Sequence, residues 1–165
     1  MGRTAPHPNV FIRSMATRGM MGGLSRSTHD AIDLMNAAGF DTILVETVGV
    51  GQDEVDVVRG DDTCCVVLIP GMGDDIQAIK AGLMEIADVF ILNKADQPGI
   101  DQVVDALQAM KSLAPAQDPK SWDAPWIKTI AAEGQGLGAL EEAVNQHQHW
   151  LDQEGHRQKK QAARL

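Results

Sequence analysis

Two short turns in this sequence combine residue types that bind cations, phosphates or nucleobases. The first contains Glu46, Gly49 and Gly51, and it follows the apolar run at residues 42–45. That run consists mainly of β-formers, which predicts a buried parallel strand. A carboxylate at the end of such a strand can hold a hydrated cation, and the glycines let backbone N–H groups approach a phosphate. The same residues are equally compatible with a tight strand-to-helix turn carrying a solvated glutamate.

The second turn is Asn93-Lys94-Ala95-Asp96, which directly follows the apolar run at residues 89–92. An N-K-x-D string after a strand matches the guanine-reading motif of GTPases. There the aspartate accepts hydrogen bonds from the guanine N1–H and amino group, the asparagine holds neighbouring loops, and the lysine lies along the base. Adenine presents the opposite donor pattern, so a carboxylate selects guanine. Chance could produce four residues, but their place at a strand end favours guanine binding.

Hydrophobic patterning around these turns predicts alternating strands and helices, the pattern of an α/β fold. A helix is expected to open near Ser27 and Asp30 and to stop at Gly39. Another is expected after Pro98, and the basic tail beyond residue 152 could begin a further helix. His147 falls on the apolar stripe of the closing helix and is predicted to pack inside. The predicted strands are residues 10–12, 42–45, 64–69, 89–92 and 126–130, and the other helices are residues 74–87 and 137–151.

Composition narrows the classes of partner. The 165 residues carry 14 basic and 23 acidic side chains, a formal net charge of −9, which argues against nucleic acid or an anionic membrane as the main partner. No apolar run reaches the length needed to span a bilayer. The two cysteines, Cys64 and Cys65, are adjacent in a predicted strand and would point to opposite faces of the sheet. A disulfide between them is therefore not expected, which fits the reducing cytoplasm.

Five stretches together resemble one family: FIRSMATRGMMGG, ILVETVGVGQDE, PGMGDDIQAIKAG, NKAD and IAAEGQGL. They are similar to the MeaB/ArgK family of P-loop GTPases, over about residues 10–151. The resemblance implies an α/β, P-loop NTPase-like (SIMIBI-class) three-layer sandwich with a mostly parallel sheet. It divides the chain into a partial GTPase domain, residues 1–152, and the start of a C-terminal helical extension, residues 153–165.

By that resemblance the protein would bind and hydrolyse GTP, with Mg²⁺, and would gate cofactor loading and protection of an adenosylcobalamin-dependent mutase of the methylmalonyl-CoA mutase type. Full-length members would be homodimers, and the setting would be cytoplasmic. Val50 stands where many small GTPases carry a water-positioning glutamine, so hydrolysis should be slow and stimulated by the partner.

The resemblance also assigns residues to roles. The base would bind between the N-K-x-D turn and the loop at residues 131–133, where a backbone N–H donates to the guanine O6. Residues 14–23 could instead be a mobile surface loop without a role at the phosphates, and residues 74–80 could instead be a solvated helix face. The implied roles are base and phosphate binding for Asn93, Lys94, Asp96, Ala131, Ala132, Glu133, Gly49 and Arg18, a metal ligand for Glu46, and catalysis for Lys80, Gln77 and Asp74.

One expected motif does not occur. No G-x-x-x-x-G-K-[ST] phosphate loop is present in the 165 residues. We therefore expect a truncated form that lacks the N-terminal Walker A strand and does not hydrolyse GTP alone. Removing a central strand leaves its neighbours with unpaired backbone groups, so the chain is also expected to be marginally stable or prone to aggregate.

Two other functions compete with this one. Without its phosphate loop the chain could act as a nucleotide-free module that docks on a mutase. A Rossmann-type dinucleotide enzyme could use the glycines of the turn that contains Gly49 and Gly51, but the third glycine is missing and the N-K-x-D string would go unexplained.

Overall fold

The structure, a computed structural model, describes residues 7, 9–15, 26–47, 61–72, 86–113, 121–153 and 155–163. The chain divides into two compact units, Met1–Asp56 and Val57–Leu165, which are described separately. The predictions at residues 16–25, 48–60, 73–85 and 114–120 lie outside the described residues.

In the first unit the described helix is α1, Arg26–Ala37. It ends where predicted: Gly39 adopts a left-handed conformation with φ 83°. The Phe40 N–H then donates to the carbonyl of Met35 at 3.1 Å, which caps one of the helix's last carbonyl groups. The prediction of a helix that stops at this glycine is confirmed.

The strands predicted at residues 10–12 and 42–45 are wrong. Both segments are irregular, with Phe11 58% exposed and Leu44 91% exposed. A strand forms only where a neighbouring strand takes up its N–H and C=O groups, and no such neighbour pairs with these segments among the described residues. Glu46 therefore follows an exposed irregular segment instead of a buried strand.

The second unit contains a three-stranded parallel sheet with the order β1-β2-β3. The strands are β1, Cys65–Leu68; β2, Val89–Asn93; and β3, Trp126–Thr129. In register, Val66 lies opposite Phe90, and Phe90 lies opposite Trp126. The three strands predicted in this part of the chain are confirmed, each to within two residues at its ends. Because the strands are parallel, all their carboxyl ends meet at one edge.

Helices cover both faces of this sheet. Helix α2, Ile100–Leu113, lies on one face, and its buried residues form a core with alternate strand residues: Val66, Leu68, Phe90, Leu92, Ile100, Val103 and Leu107. Helix α3, Leu137–Leu151, contacts β2 and β3 and buries Ala143, His147 and Leu151 outside that core. The fully buried Val89 alternates with Phe90 and so faces the other side of the sheet. The result is a helix–sheet–helix sandwich.

The outward residues of β1 remain in contact with solvent. Val67 is 50% exposed and Cys65 is exposed, whereas Val66 and Leu68 are buried. After α3 the chain turns at Gly155 and forms α4, His156–Ala163, which confirms the helix considered for the tail. None of the described helices combines the length and apolar character needed to cross a bilayer.

Candidate functional site at the carboxyl edge of the sheet

The Asn93 side chain joins the ends of two strands. Its Oδ1 accepts a hydrogen bond from Thr129 Oγ1 at the end of β3, and a second from the Ala131 backbone N–H, both at 3.1 Å. Thr129 is 2% exposed, so this contact is shielded from water on one side. The amide of Asn93 therefore sets the position of the loop after β3 relative to the loop after β2.

The turn after Asn93 has a particular backbone conformation. Lys94 has φ 57°, a left-handed conformation that is uncommon for a residue with a side chain. The next residue, Ala95, donates its N–H to the carbonyl of Thr129 at 3.1 Å, a second link between the two strand ends. Lys94 and Asp96 are both exposed. The turn thus fixes the backbone while leaving the ammonium and carboxylate groups available to a ligand.

The loop after β3 is closed by its own backbone. Ile130 and Gln135 exchange N–H···O=C bonds at 3.1 and 3.3 Å, and a short 3₁₀ helix, Ala131–Glu133, lies between them. Gly136 follows with φ 78°, and a Cβ at this position would lie 2.2 Å from the carbonyl oxygen of Lys128. Only glycine fits there, so the loop folds back tightly onto the end of β3.

Within this loop the backbone N–H of Ala132 is available to a ligand. The Ala131 N–H is taken by Asn93, and the Glu133 N–H donates to the carbonyl of Ile130 at 2.9 Å. In the part of the chain that the structure describes, the N–H of Ala132 has no such partner. The Glu133 carboxylate accepts from the Gln135 amide at 2.8 Å. An exposed carboxylate at Asp96 and an available N–H at Ala132 together present an acceptor and a donor.

The remaining predicted site residues do not belong to the described part of the second unit. Glu46 is exposed and belongs to the first unit. Among the described residues no group of three or more histidine, cysteine or acidic side chains could hold a metal ion. The other predicted residues lie outside the described part of the chain: Arg18, Gly49, Asp74, Gln77 and Lys80.

Sequence reasoning missed Thr129 and Gly136. A hydroxyl at the end of an apolar strand was the available signal for Thr129, because a buried hydroxyl requires a partner. Gly136 had a weaker signal, since nothing in its neighbours indicates that the carbonyl of Lys128 lies so close.

A second polar cluster lies at the opposite, amino edge of the same sheet and centres on Asp88. This residue is 7% exposed, and its Oδ2 accepts from the Cys64 N–H at 2.7 Å and from Lys160 Nζ at 2.5 Å. Its backbone carbonyl accepts from the Trp122 indole N–H at 2.7 Å. His147, fully buried, places Nε2 3.3 Å from Oδ1. Asp88 thus joins residues that precede all three strands.

Several opposing effects act on the pKa of Asp88. Burial raises it, while the nearby His147 imidazole, the hydrogen bonds from Cys64 and Lys160, and the charge of Lys160 lower it, and the outcome is a pKa of about 2. The interactions outweigh desolvation, so the carboxylate stays ionised although it is buried.

Aromatic rings surround this cluster. The His147 ring lies 4.9 Å from that of Trp122 and 5.8 Å from that of Trp150, centroid to centroid. His156, the first residue of α4, stacks on Trp150 at 4.1 Å. The prediction that His147 packs inside is confirmed. Stacking holds α4 against α3, and the Lys160–Asp88 ion pair holds it at the start of β2.

Comparison with known protein families identifies the chain at this point. The family model described as methylmalonyl-CoA mutase-associated GTPase MeaB matches residues 1–165. This chain belongs to the MeaB family. A relative from Pyrococcus horikoshii, named as a GTPase, is 48% identical over 166 residues, which cover 100% of this chain and 52% of the relative. A mouse relative, named methylmalonic aciduria type A homolog, mitochondrial, is 34% identical over 150 residues, 87% of this chain and 35% of the relative.

A solved structure supports the fold of this chain. The crystal structure of an LAO/AO transport system kinase superposes with a TM-score of 0.64 at 29% identity, covering 81% of this chain and 43% of that one. The predicted fold, α/β and P-loop NTPase-like with a parallel sheet, is confirmed. The chain spans about half the length of the MeaB relatives that it matches.

Proposed function

We propose that this chain carries the guanine-recognition half of a MeaB-type GTPase, which binds GTP and GDP. The observation that supports it most is the Asn93 side chain, which bonds both Thr129 and Ala131 and leaves Asp96 and the Ala132 N–H available. Membership of a family described as GTPases supports the same conclusion.

Guanine has the donor and acceptor groups that these two positions complement. The Asp96 carboxylate would accept from the N1–H and the amino group, and the N–H of Ala132 would donate to O6. This refines the expectation from the sequence: the Ala131 N–H is used by Asn93, so Ala132 is the better candidate for the donor. The exposed Lys94 would lie along the base, and adenine, with its reversed donor pattern, would be rejected.

The phosphate end of the site is proposed from the resemblance alone. Arg18 and Gly49 would approach the phosphates, Glu46 would support Mg²⁺, and Lys80, with Gln77 and Asp74, would complete a catalytic set. The metal, when bound, neutralises charge on the phosphates. These residues lie either outside the described structure or in the first unit, so the proposal for them extends to their roles and to no geometry.

The physiological role proposed for the intact protein is to gate cofactor loading of an adenosylcobalamin-dependent mutase. Support comes from the family description, which names methylmalonyl-CoA mutase, and from the mouse relative named for methylmalonic aciduria. Replacing Lys80 with alanine in a full-length relative tests the catalytic part. Partner-stimulated GTP hydrolysis should fall while nucleotide binding remains, and unchanged stimulation would remove Lys80 from the mechanism.

Base selectivity is the direct test for this chain. Amide NMR spectra of the 165-residue protein, titrated with GDP or ADP, should show guanine-selective shifts at Ala132 and Asp96. Asp96→Asn should weaken GDP and favour xanthosine diphosphate, because an amide N–H₂ donates to the xanthine O2. Asp105→Asn, an exposed change of the same type on α2, is the control. Equal shifts with GDP and ADP in the natural protein would refute the proposal.

A nucleotide-free module that docks on a mutase remains the second candidate. The lack of a phosphate-loop motif in the 165 residues favours it. Co-purification of the chain with a mutase, combined with no response to GDP in the same titration, would select this function instead.

A further inference from the structure

Asp88 contacts the segments that lead into the two neighbouring strands. Its carboxylate accepts the N–H of Cys64, immediately before β1, and its carbonyl accepts the indole N–H of Trp122, before β3. Asp88 itself immediately precedes β2. At the amino edge, one residue therefore links the start of β2 to the segments before both of its neighbours.

Lys160 reaches this residue from outside the sandwich. Located on α4, it donates from Nζ to Asp88 Oδ2 and to the carbonyl of Asp62, both at 2.5 Å. The Lys160 and Asp88 side chains are only 11% and 10% exposed, so the pair is poorly screened by water. Arg157, one turn earlier, pairs with Asp62 and Asp152 and keeps α4 in place.

The other end of β2 carries the guanine-recognition turn. Asn93 follows Asp88 by five positions, about 16 Å along an extended strand. The two bonds that Asn93 makes with the β3 side are already 3.1 Å long, which is near the upper end of the usual range for the N–H donor and just beyond it for the hydroxyl donor. A small slip of β2 against β3 would stretch both of them, and Ala132 would then move relative to Asp96.

We propose that Lys160 is a positioning residue for the base-recognition loop. By holding Asp88 it sets the register of β2 against β3, and it thereby aligns Asp96 with the Ala132 N–H at the far edge of the sheet. Helix α4 acts in this way without touching the nucleotide. The effect on nucleotide binding rests on the proposed function, whereas the effect of Lys160 on the position of the loop can be tested in the ligand-free protein.

Amide hydrogen exchange of the ligand-free 165-residue chain tests the structural part. In Lys160→Met the N–H groups of Ala131 and Ala95 should exchange about tenfold faster than in the natural protein, while the amides within α2, which report global unfolding, change less. Lys159→Met, an adjacent exposed lysine on the same helix, is the matched control and should leave both amides unchanged. If the methionine variant does not fold, Lys160→Gln, which keeps a donor, takes its place with the same expected direction.

Nucleotide discrimination tests the functional part. Inosine diphosphate lacks the amino group of GDP, so the ratio of the two affinities measures how well Asp96 is aligned with the base. The ratio should fall toward one in Lys160→Met, and in Lys159→Met it should equal the ratio measured for the natural protein. Unchanged protection at Ala131 and Ala95 would overturn the role of Lys160. A natural protein that does not prefer GDP over ADP would instead refute the proposed function, and the exchange result would still decide on Lys160.

Discussion

Thr129 donates its hydroxyl hydrogen to Asn93 Oδ1 across a distance of 3.1 Å, at the point where β3 and β2 end side by side. The same oxygen accepts the N–H of Ala131. A single amide oxygen thus positions the loop that follows the neighbouring strand. In a parallel sheet, residues far apart in sequence meet in this way because all the strands end at the same edge.

Replacing Thr129 with valine should weaken this link. The variant keeps the shape of the side chain but removes the donor, so we expect a loss of about 1 kcal/mol in the free energy of unfolding and a looser loop. Urea unfolding measures the free energy of unfolding, and the hydrogen-exchange rate of the Ala131 amide measures how often the loop opens. Thr47→Val, an exposed position in an irregular segment, should change neither. A free energy of unfolding equal to that of the natural protein in Thr129→Val would show that the hydroxyl does not contribute to stability.

Two glycines of the same region should respond oppositely to alanine. At Gly136 the backbone is left-handed and a Cβ would lie 2.2 Å from the Lys128 carbonyl, so Gly136→Ala should cost roughly 2–4 kcal/mol and displace the loop. Gly138, in the first turn of α3, has nothing within 4 Å of such a Cβ. There Gly→Ala should stabilise by roughly 0.5–1 kcal/mol. Thermal unfolding distinguishes them, and similar melting temperatures would contradict the geometry of the loop.

Stability in acid should depend on Asp88. Its pKa in the folded protein is about 2, below its ordinary value of 3.8, so the ionised form stabilises the fold. The contribution, about 2 kcal/mol, is complete above the ordinary value and is lost as the pH falls through the folded one, between roughly pH 4 and pH 2.

The corresponding variant is Asp88→Asn, measured by urea unfolding across that pH interval. It should be less stable at neutral pH, because Lys160 is left without its carboxylate, and its stability should decline less steeply in acid. Asp105→Asn, an exposed substitution on α2, should keep the natural slope. An unchanged slope in Asp88→Asn would mean that other carboxylates cause the acid response.

The thiol of Cys65 should report the charges of the same cluster. Although the residue as a whole is exposed, burial of the thiol raises its pKa, the Asp88 carboxylate raises it further, and Lys160 opposes both. In a Cys64→Ser background, alkylation by iodoacetamide should therefore be faster in Asp88→Asn and slower in Lys160→Met. Mass spectrometry over a time course gives the rates. Identical alkylation rates in the Cys64→Ser protein and in both variants made from it would show that Asp88 and Lys160 do not influence the pKa of this thiol.

The sequence predicted the second unit well because its elements are determined locally. The runs that became β1 and most of β2 are continuously apolar, and β3 begins with the two apolar residues Trp126 and Ile127. The turn after residue 97 contains proline and glycine, which mark the start of α2. The N-K-x-D turn was recognised for a similar reason, since four consecutive residues carry the whole pattern. Its strand-end position then followed from the apolar run before it.

The first unit was predicted less well because strands depend on partners distant in the chain. Residues 42–45 have the composition of a strand, but propensity does not supply the neighbour that must take their hydrogen bonds. The role of Asp88 was also hidden, since its partners Cys64, Trp122 and Lys160 lie 24, 34 and 72 positions away. No local pattern connects residues at such separations.

The aromatic rings packed around His147 determine which structural changes the intrinsic tryptophan fluorescence of the protein can detect. All three tryptophans of the chain precede or begin β3 or lie on α3, and two of them flank the buried imidazole. An indole's quantum yield changes when a neighbouring imidazole moves. Intrinsic fluorescence is therefore a natural signal for detachment of α4, whereas events around Asp96 will need an introduced fluorophore.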